Sequence, residues 1–244
     1  VQQGFAAFDD RMTAREPSRP DLKERLAPDT TDAALTWLDG RDPERPFFLW
    51  VHYQDPHGPY TPPADCLQVR APTDEPELAV GPDEKGRGAL PKYQVVDDER
   101  RPELYRARYE AEIRFFDREL GRLLDGLRER GVLASALLVF TADHGESLGE
   151  RGYWFSHGQH LHRELVQVPL LVRAPGGASA PGRVLEPASH LDLYPTVLAA
   201  FGLEPGPTRG LDLLAHALPA ERVLPQFLRG AWSASGAHER VLLE

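Results

Sequence analysis

The sequence predicts an α/β fold, a mostly parallel central sheet flanked by helices. Short apolar runs at 47–51 (FFLWV), 136–142 (ALLVFTA) and 168–172 (VPLLV) read as buried strands. They alternate with helical periodicity at 30–38, 103–130 and 192–201, the pattern of an α/β sheet. Punctuation adds a third sign, because 23 prolines among 244 residues, about twice the usual share, cut the chain into short elements.

In chain order, Ala34, Leu35 and Leu38 share one face of the first helix, with Thr30 or Thr31 as its cap. Pro43 and Pro46 punctuate the approach to the first strand, and YQDPHGPYTPP at 53–63 is a loop. Residues 62–102, with seven prolines, read as a loop-rich surface insertion. Cys66, set there between Asp65 and Leu67 with no histidine or basic cluster nearby, is expected to be chemically idle. In 103–130 the stripe Tyr109, Ile113, Phe116, Leu120, Leu123, Leu124 and Leu127 recurs at helical steps, and Gly131 ends the helix. The second strand runs directly into Asp143-His144-Gly145-Glu146, and the third is closed by Pro175-Gly176-Gly177. A last helix, or turn plus helix, at 192–201 is closed by Gly202.

Composition excludes several function classes. With 28 basic and 38 acidic side chains the net charge is −10, which argues against coating nucleic acid or an anionic membrane. No apolar run is long enough to span a bilayer. One cysteine excludes an internal disulfide framework and any multi-cysteine metal site, and leaves the compartment open. The sequence starts at Val1 with its only methionine at Met12, so it reads as an N-terminally incomplete copy.

Ligands of open α/β sheets gather beyond the carboxyl ends of the strands. Three polar clusters fall there: 52–60 (HYQDPHGPY), 143–146 (DHGE) and 156–162 (SHGQHLH). Adjacent Asp143 and His144 make a partial shell for a divalent cation, and Gly145 permits close backbone approach. The alternative is that Asp143 caps the next element while His144 satisfies a buried hydrogen bond. Two ligands do not hold a metal alone, so further ligands must come from elsewhere.

Taken as an ordered set, FFLWVHYQDPHGPYTPP, the long helix, LLVFTADHGESLGERGYWFSHGQHLHRELVQVPLLVRAPGG, SHLDLYPTVLAAFGL and GLDLL resemble the sulfatase family of the alkaline-phosphatase superfamily, over roughly 28–215. The resemblance implies an incomplete alkaline-phosphatase-like fold, with 216–244 starting its C-terminal part. It also implies a hydrolase of sulfuric or phosphoric esters, with a small-molecule or glycan ester as substrate. His57 of the DPHxPY-type loop would stand beside the leaving-group oxygen. Asp143 and His144 would bind the metal, with calcium the first candidate and manganese, magnesium or zinc the alternatives. His157 would take the place of a downstream basic residue that binds the substrate anion, and His162 stands where a tyrosine is usual. Histidine at 144, where asparagine is commoner, looks like the branch with phosphonate monoester and phosphodiester hydrolases. A non-catalytic metal- or anion-binding remnant is the other alternative.

The family's nucleophile, a Cys or Ser matured to formylglycine in Cys/Ser-x-Pro-x-Arg, is expected outside this chain. Cys66 is followed by Leu67-Gln68-Val69-Arg70 and lacks the proline. Residues 1–244 alone are therefore expected to be inactive. Among the remaining polar residues, His52 is expected to line a strand end, and His160 and His162 to face a surface or support other ligands. Asp55 would turn with Pro56, Glu146 would support the metal ligands or cap a turn, and Asp192, Tyr194 and Pro195 would pack.

Overall fold

The computed structural model describes residues 3–16, 19–68, 70–71, 73–82, 85–177, 182–215, 225–226 and 241–242. Its elements are β1 (Ala14–Glu16), β2 (Arg19–Glu24), α1 (Ala27–Gly40), α2 (Pro102–Glu129), β3 (Leu138–Thr141), β4 (Ser147–Leu148), β5 (Trp154–Ser156), α3 (Arg163–Val166), β6 (Leu170–Arg173), α4 (Leu193–Ala200), β7 (Pro225–Gln226) and β8 (Val241–Leu242). They fall into two compact units, Val1–Arg130 with Ser147–Ser156, and Gly131–Glu146 with His157–Glu244. Apart from β7 and β8, which pair antiparallel, the expected C-terminal part at 216–244 lies outside the described residues. Among the described residues no helix is long and apolar enough to cross a membrane.

The first unit is built on α2 against α1. Pro28, whose ring presets a helical φ, lies in the first turn of α1, so the helix starts at Ala27 and not at a threonine cap. Thr30 and Thr31 are interior, and the Thr31 hydroxyl donates to the Ala27 carbonyl (3.0 Å) and pairs with the Tyr53 hydroxyl (2.9 Å). Helix α1 meets α2 at Gly126, where a Cβ would come within 2.4 Å of Leu35. Arg122 reaches Asp32 (2.6 Å), and Arg130 forms a two-pronged pair with Asp39 (2.8 Å each).

Helix α2 ends as its sequence predicts, with Gly131 in the left-handed region at φ 67. Its buried face is rotated from the predicted stripe. Ile113 is 41% exposed, whereas Ala111, Glu112, Phe115, Glu119, Leu123 and Leu127 are buried. Residues 62–102 are irregular but not peripheral, because Leu78 and Leu90 join Tyr60, Tyr105 and Phe155 in one core cluster. Cys66 packs with Ala27, Ala111 and Phe115 in another. Burial pushes its thiol pKa up, in keeping with an inert side chain.

The run 47–51 is not a strand. No described residue pairs with it, and Phe48 (51%) and Trp50 (62%) are exposed. Phe47 alone of these three turns inward, edge-on to Trp37 at 5.5 Å under the Arg41 guanidinium. An apolar run makes a two-face-buried strand only with a ladder on each side, and here the segment has one covered face and no ladder.

In the second unit β3 pairs with β6 antiparallel, Leu138 opposite Arg173 through Thr141 opposite Leu170. Every sheet among the described residues is a two-stranded antiparallel pair, which corrects the expected mostly parallel pairing while leaving the α/β class. A parallel return needs a crossover of a dozen or more residues, usually a helix. Between β3 and β6 the second unit contributes only the four-residue α3, and the chain comes back in the opposite direction. Both strands are half-buried, with Leu171 at 59% exposure. Before α4, Ser189 and Asp192 form a capping box. The other Asp192 oxygen accepts from the Leu211 amide (2.8 Å), so this fully buried carboxylate has the packing role expected of it.

Candidate active site

His57 belongs to the first unit, on a loop fixed from both sides. Tyr60, fully buried, sets its ring edge-on to Tyr109 (5.3 Å) and Phe155 (6.2 Å). Gly58 has no room for a side chain, because a Cβ would lie 2.2 Å from the Gln94 amide. The His57 amide donates to the Gln54 carbonyl (2.9 Å). Its Nδ1 lies 2.7 Å from the Gly58 carbonyl, which can only accept, so Nδ1 carries a proton. The His57 ring lies parallel to Tyr93 (6.3 Å) and is itself exposed. A buried anchor thus holds an imidazole at the surface. Asp55 makes the expected turn with Pro56. Its Oδ2 is buried without a hydrogen-bond partner, and burial raises its carboxyl pKa.

The second unit carries Asp143, His144 and His157 together. Beyond β3, the His144 amide donates to Asp143 Oδ1 (3.0 Å), while His144 Nδ1 donates to the Gly145 carbonyl (2.8 Å). That leaves Nε2 as the lone-pair nitrogen of His144, 3.7 Å from Asp143 Oδ2. Two electron-pair donors at this separation are too far apart for a hydrogen bond, and a cation at roughly 2.0–2.4 Å from each fits between them. Among the described residues no third His, Cys, Asp or Glu completes a metal shell. The residues present therefore fit as part of a shell.

Gly145 is required here, although by protein backbone and not by a ligand. Its amide donates to the Leu165 carbonyl (2.8 Å), and a Cβ would sit 2.1 Å from the Glu164 carbonyl oxygen. This close approach docks the loop onto α3. The His157 ring stacks on His144 with centroids 4.0 Å apart and planes at 25°. Its Nδ1 faces both Glu146 oxygens, at 3.3 and 3.4 Å. The hydrogen bond to Glu146 raises the His157 pKa against the opposing effect of burial, with the Asp143 charge adding to the rise. The His160 and His162 rings lie 4.4 Å apart, with His160 Nδ1 accepting from the His162 amide (3.3 Å), and His52 is exposed in the other unit.

Several contacts have no sequence signature. Glu146 could be read as a cap or a ligand support, but its facing of His157, eleven residues on, has no period that would show it. The same holds for Gln94 beneath Gly58 and for His190, whose Nε2 lies 3.0 Å from the Thr141 hydroxyl at the end of β3. One sequence expectation is corrected by the sequence itself. Ser179-Ala180-Pro181-Gly182-Arg183 satisfies the written pattern Ser-x-Pro-x-Arg. It follows the Asp143–His144 pair, out of the order that the resemblance implies, and residues 178–181 lie outside the described ones.

The loop-borne His57 belongs to the first unit, and the Asp143–His144 pair with the stacked His157 to the second. Residues 2–203 match the Sulfatase family, and the chain belongs to it. It is 33% identical over 206 residues to a choline-sulfatase of Rhizobium meliloti, covering 79% of this chain and 40% of that protein. An arylsulfatase of Clostridium perfringens is 29% identical over 209 residues, covering 80% of this chain and 43% of that protein. The chain thus spans about two-fifths of the length of these relatives. Among solved structures, a phosphonate monoester hydrolase of Silicibacter pomeroyi superposes with a TM-score of 0.65 at 28% identity, over 91% of this chain and 50% of that one.

Proposed function

We propose that this chain contributes the leaving-group, metal and anion side of a sulfuric ester hydrolase. The observation that carries the reading is the cluster beyond β3, where Asp143 Oδ2 and His144 Nε2 flank one position and His157 stacks against His144. When bound, a divalent metal, calcium first and manganese, magnesium or zinc otherwise, would supply charge stabilisation to the transferring group. Asp143 and His144 would hold it. His157 would donate a hydrogen bond to a non-bridging oxygen. His57 would hold a proton for the departing alcohol oxygen, a role suited to imidazole near neutral pH. The nucleophile, a formylglycine in this reading, is not assigned to any described residue.

A second reading, hydrolysis of phosphonate monoesters or phosphodiesters, is favoured by His144 in place of asparagine and by the similarity to the Silicibacter enzyme. The two separate on turnover by the protein expressed from its complete reading frame. The expected result is faster hydrolysis of 4-nitrophenyl sulfate than of a 4-nitrophenyl phosphonate monoester, with loss of turnover in metal-stripped buffer. The reverse preference selects the second reading. A protein that turns over neither and still binds a divalent cation is the non-catalytic remnant.

A further inference from the structure

We infer that Gln94 is a positioning residue for His57: its buried amide, held by the Phe155 carbonyl, forms the floor under Gly58 and, with Tyr93, seats the His57 imidazole. The inference deepens the reading of His57 as the group that serves the departing oxygen and rests on it. It starts from a strained backbone. Phe155 is fully buried and has a φ of 46. A bulky side chain in the left-handed region is costly and persists only where its surroundings over-determine it. Here the ring packs against Tyr105 (5.1 Å) and Tyr60 (6.2 Å), and the carbonyl accepts from Gln94 Nε2 (3.1 Å) and the Tyr93 hydroxyl (3.3 Å). Gln94 and Tyr93 share the single helical turn Lys92–Gln94, and both meet the His57 loop. The Gln94 amide lies 2.2 Å from where a Gly58 Cβ would fall, and the Tyr93 ring faces the His57 ring at 6.3 Å.

The Gln94 amide has one orientation. The Phe155 carbonyl can only accept, so the nitrogen faces it, and Oε1 is left buried without a hydrogen-bond partner among the described residues. A buried acceptor without a partner is less favourable than an apolar side chain of the same shape. Stability alone therefore does not account for an amide at this fully buried position. What an amide does, and a hydrocarbon does not, is keep a fixed direction. Its Nε2 also donates to the Tyr93 hydroxyl (3.3 Å), so one side chain ties together the strained carbonyl, the ring beside His57 and the floor of the loop. The link to His57 is direct, because Gly58 supplies the carbonyl that His57 Nδ1 bonds (2.7 Å). A shift of Gly58 moves the acceptor that orients the imidazole.

The test uses the protein expressed from its complete reading frame in three variants. Gln94→Met keeps the length and loses the amide. Gly58→Ala drives a methyl into Gln94, and Gly58→Ala with Gln94→Ala gives that methyl room. Long-range proton–nitrogen NMR reads the His57 Nδ1 hydrogen bond, and urea unfolding reads stability. Both kcat and KM are measured on a sulfate ester of a basic alcohol and on an aryl sulfate with an acidic phenol. Gln94→Met is expected to unfold at nearly the wild-type urea concentration, yet to shift the Nδ1 signal toward that of an imidazole without the bond. Its kcat should fall about tenfold on the ester of the basic alcohol, and by less on the aryl sulfate. Gly58→Ala should do the same more strongly, and the double variant should recover most of the signal and the rate. Wild-type His57 signals in Gln94→Met, whatever its stability, would overturn the inference, as would a double variant no better than Gly58→Ala. Signals that move as expected while kcat falls equally on both esters leave the positioning role standing and count against the placing of His57 at the departing oxygen.

Discussion

Asp143→Asn is expected to weaken divalent-cation binding by on the order of 100-fold, and His157→Ala by far less. The asymmetry follows from what each side chain offers. Asp143 Oδ1 is engaged by the His144 amide, so Oδ2, 3.7 Å from His144 Nε2, is the oxygen available to share a cation with that nitrogen. Asparagine either places a neutral carbonyl there or turns an NH2 donor toward the metal position, and in both cases the negative charge is gone. His157 meets the pair through its ring face and its Nδ1 is committed to Glu146, so its removal takes no donor atom from the metal. Calorimetric titration with calcium and manganese, on the protein expressed from its complete reading frame, measures both losses. Equal losses would place His157 among the metal ligands, and no loss from Asp143→Asn would leave Asp143 as a turn residue.

Glu112→Gln is expected to stabilise the protein by about 3 kcal/mol at pH 7 and by almost nothing near pH 4. Glu112 lies in the middle of the buried face of α2, 5% exposed. Burial first and the nearby Asp55 carboxylate second push its pKa from 4.5 up to about 8. The sign follows from proton binding. Below the unfolded-state pKa both states are protonated, and the group costs nothing extra. As pH rises above it, the unfolded chain releases the proton and the folded chain retains it, so stability falls by about 1.4 kcal/mol per pH unit until the folded pKa is reached. Glutamine removes that dependence and keeps an oxygen for the Thr61 amide that bonds Glu112. Urea unfolding at pH 4, 7 and 8.5 checks it. An equal gain at all three values would mean a packing effect, and a loss at pH 7 would mean that Glu112 is ionised in the folded state.

What a local pattern can encode, the residue order encodes here. The α2 helix and its Gly131 terminus, the strand cores at 138–141 and 170–173, and the placing of Asp143-His144 just beyond a strand all follow from periodicity, turn chemistry and the position of polar clusters. The failures share one cause, which is that neighbours distant in sequence decide the outcome. FFLWV has strand composition, but a strand exists only where another backbone pairs with it, and none of the described residues does so. Parallel and antiparallel pairing of β3 with β6 have the same apolar signature, and the connection alone separates them. Thr30 and Thr31 look like caps until Pro28 starts the helix earlier. Glu112 and Glu119 lie off the predicted apolar stripe of α2, yet they are buried. The same limit applies to the site. Each of His57, Asp143, His144 and His157 stands out by its motif, whereas Glu146, which faces one of them across eleven residues, is set apart only by its burial and its distances.

In the proposed reaction His57 acts on the departing oxygen, and Asp143, His144 and His157 act on the metal and the transferring group. The most direct test is the dependence of the rate on the leaving group. If His57 supplies a proton to the departing oxygen, His57→Ala should cost little for an aryl sulfate whose phenol is acidic and needs no proton. The loss should grow to on the order of 100-fold or more for sulfate esters of basic alcohols. His157→Ala, which removes a contact to the transferring group, should cost about the same across the whole series. A His57→Ala loss that is independent of leaving-group pKa, or one that His157→Ala reproduces in slope, would contradict the assignment of these two histidines to opposite sides of the bond that breaks.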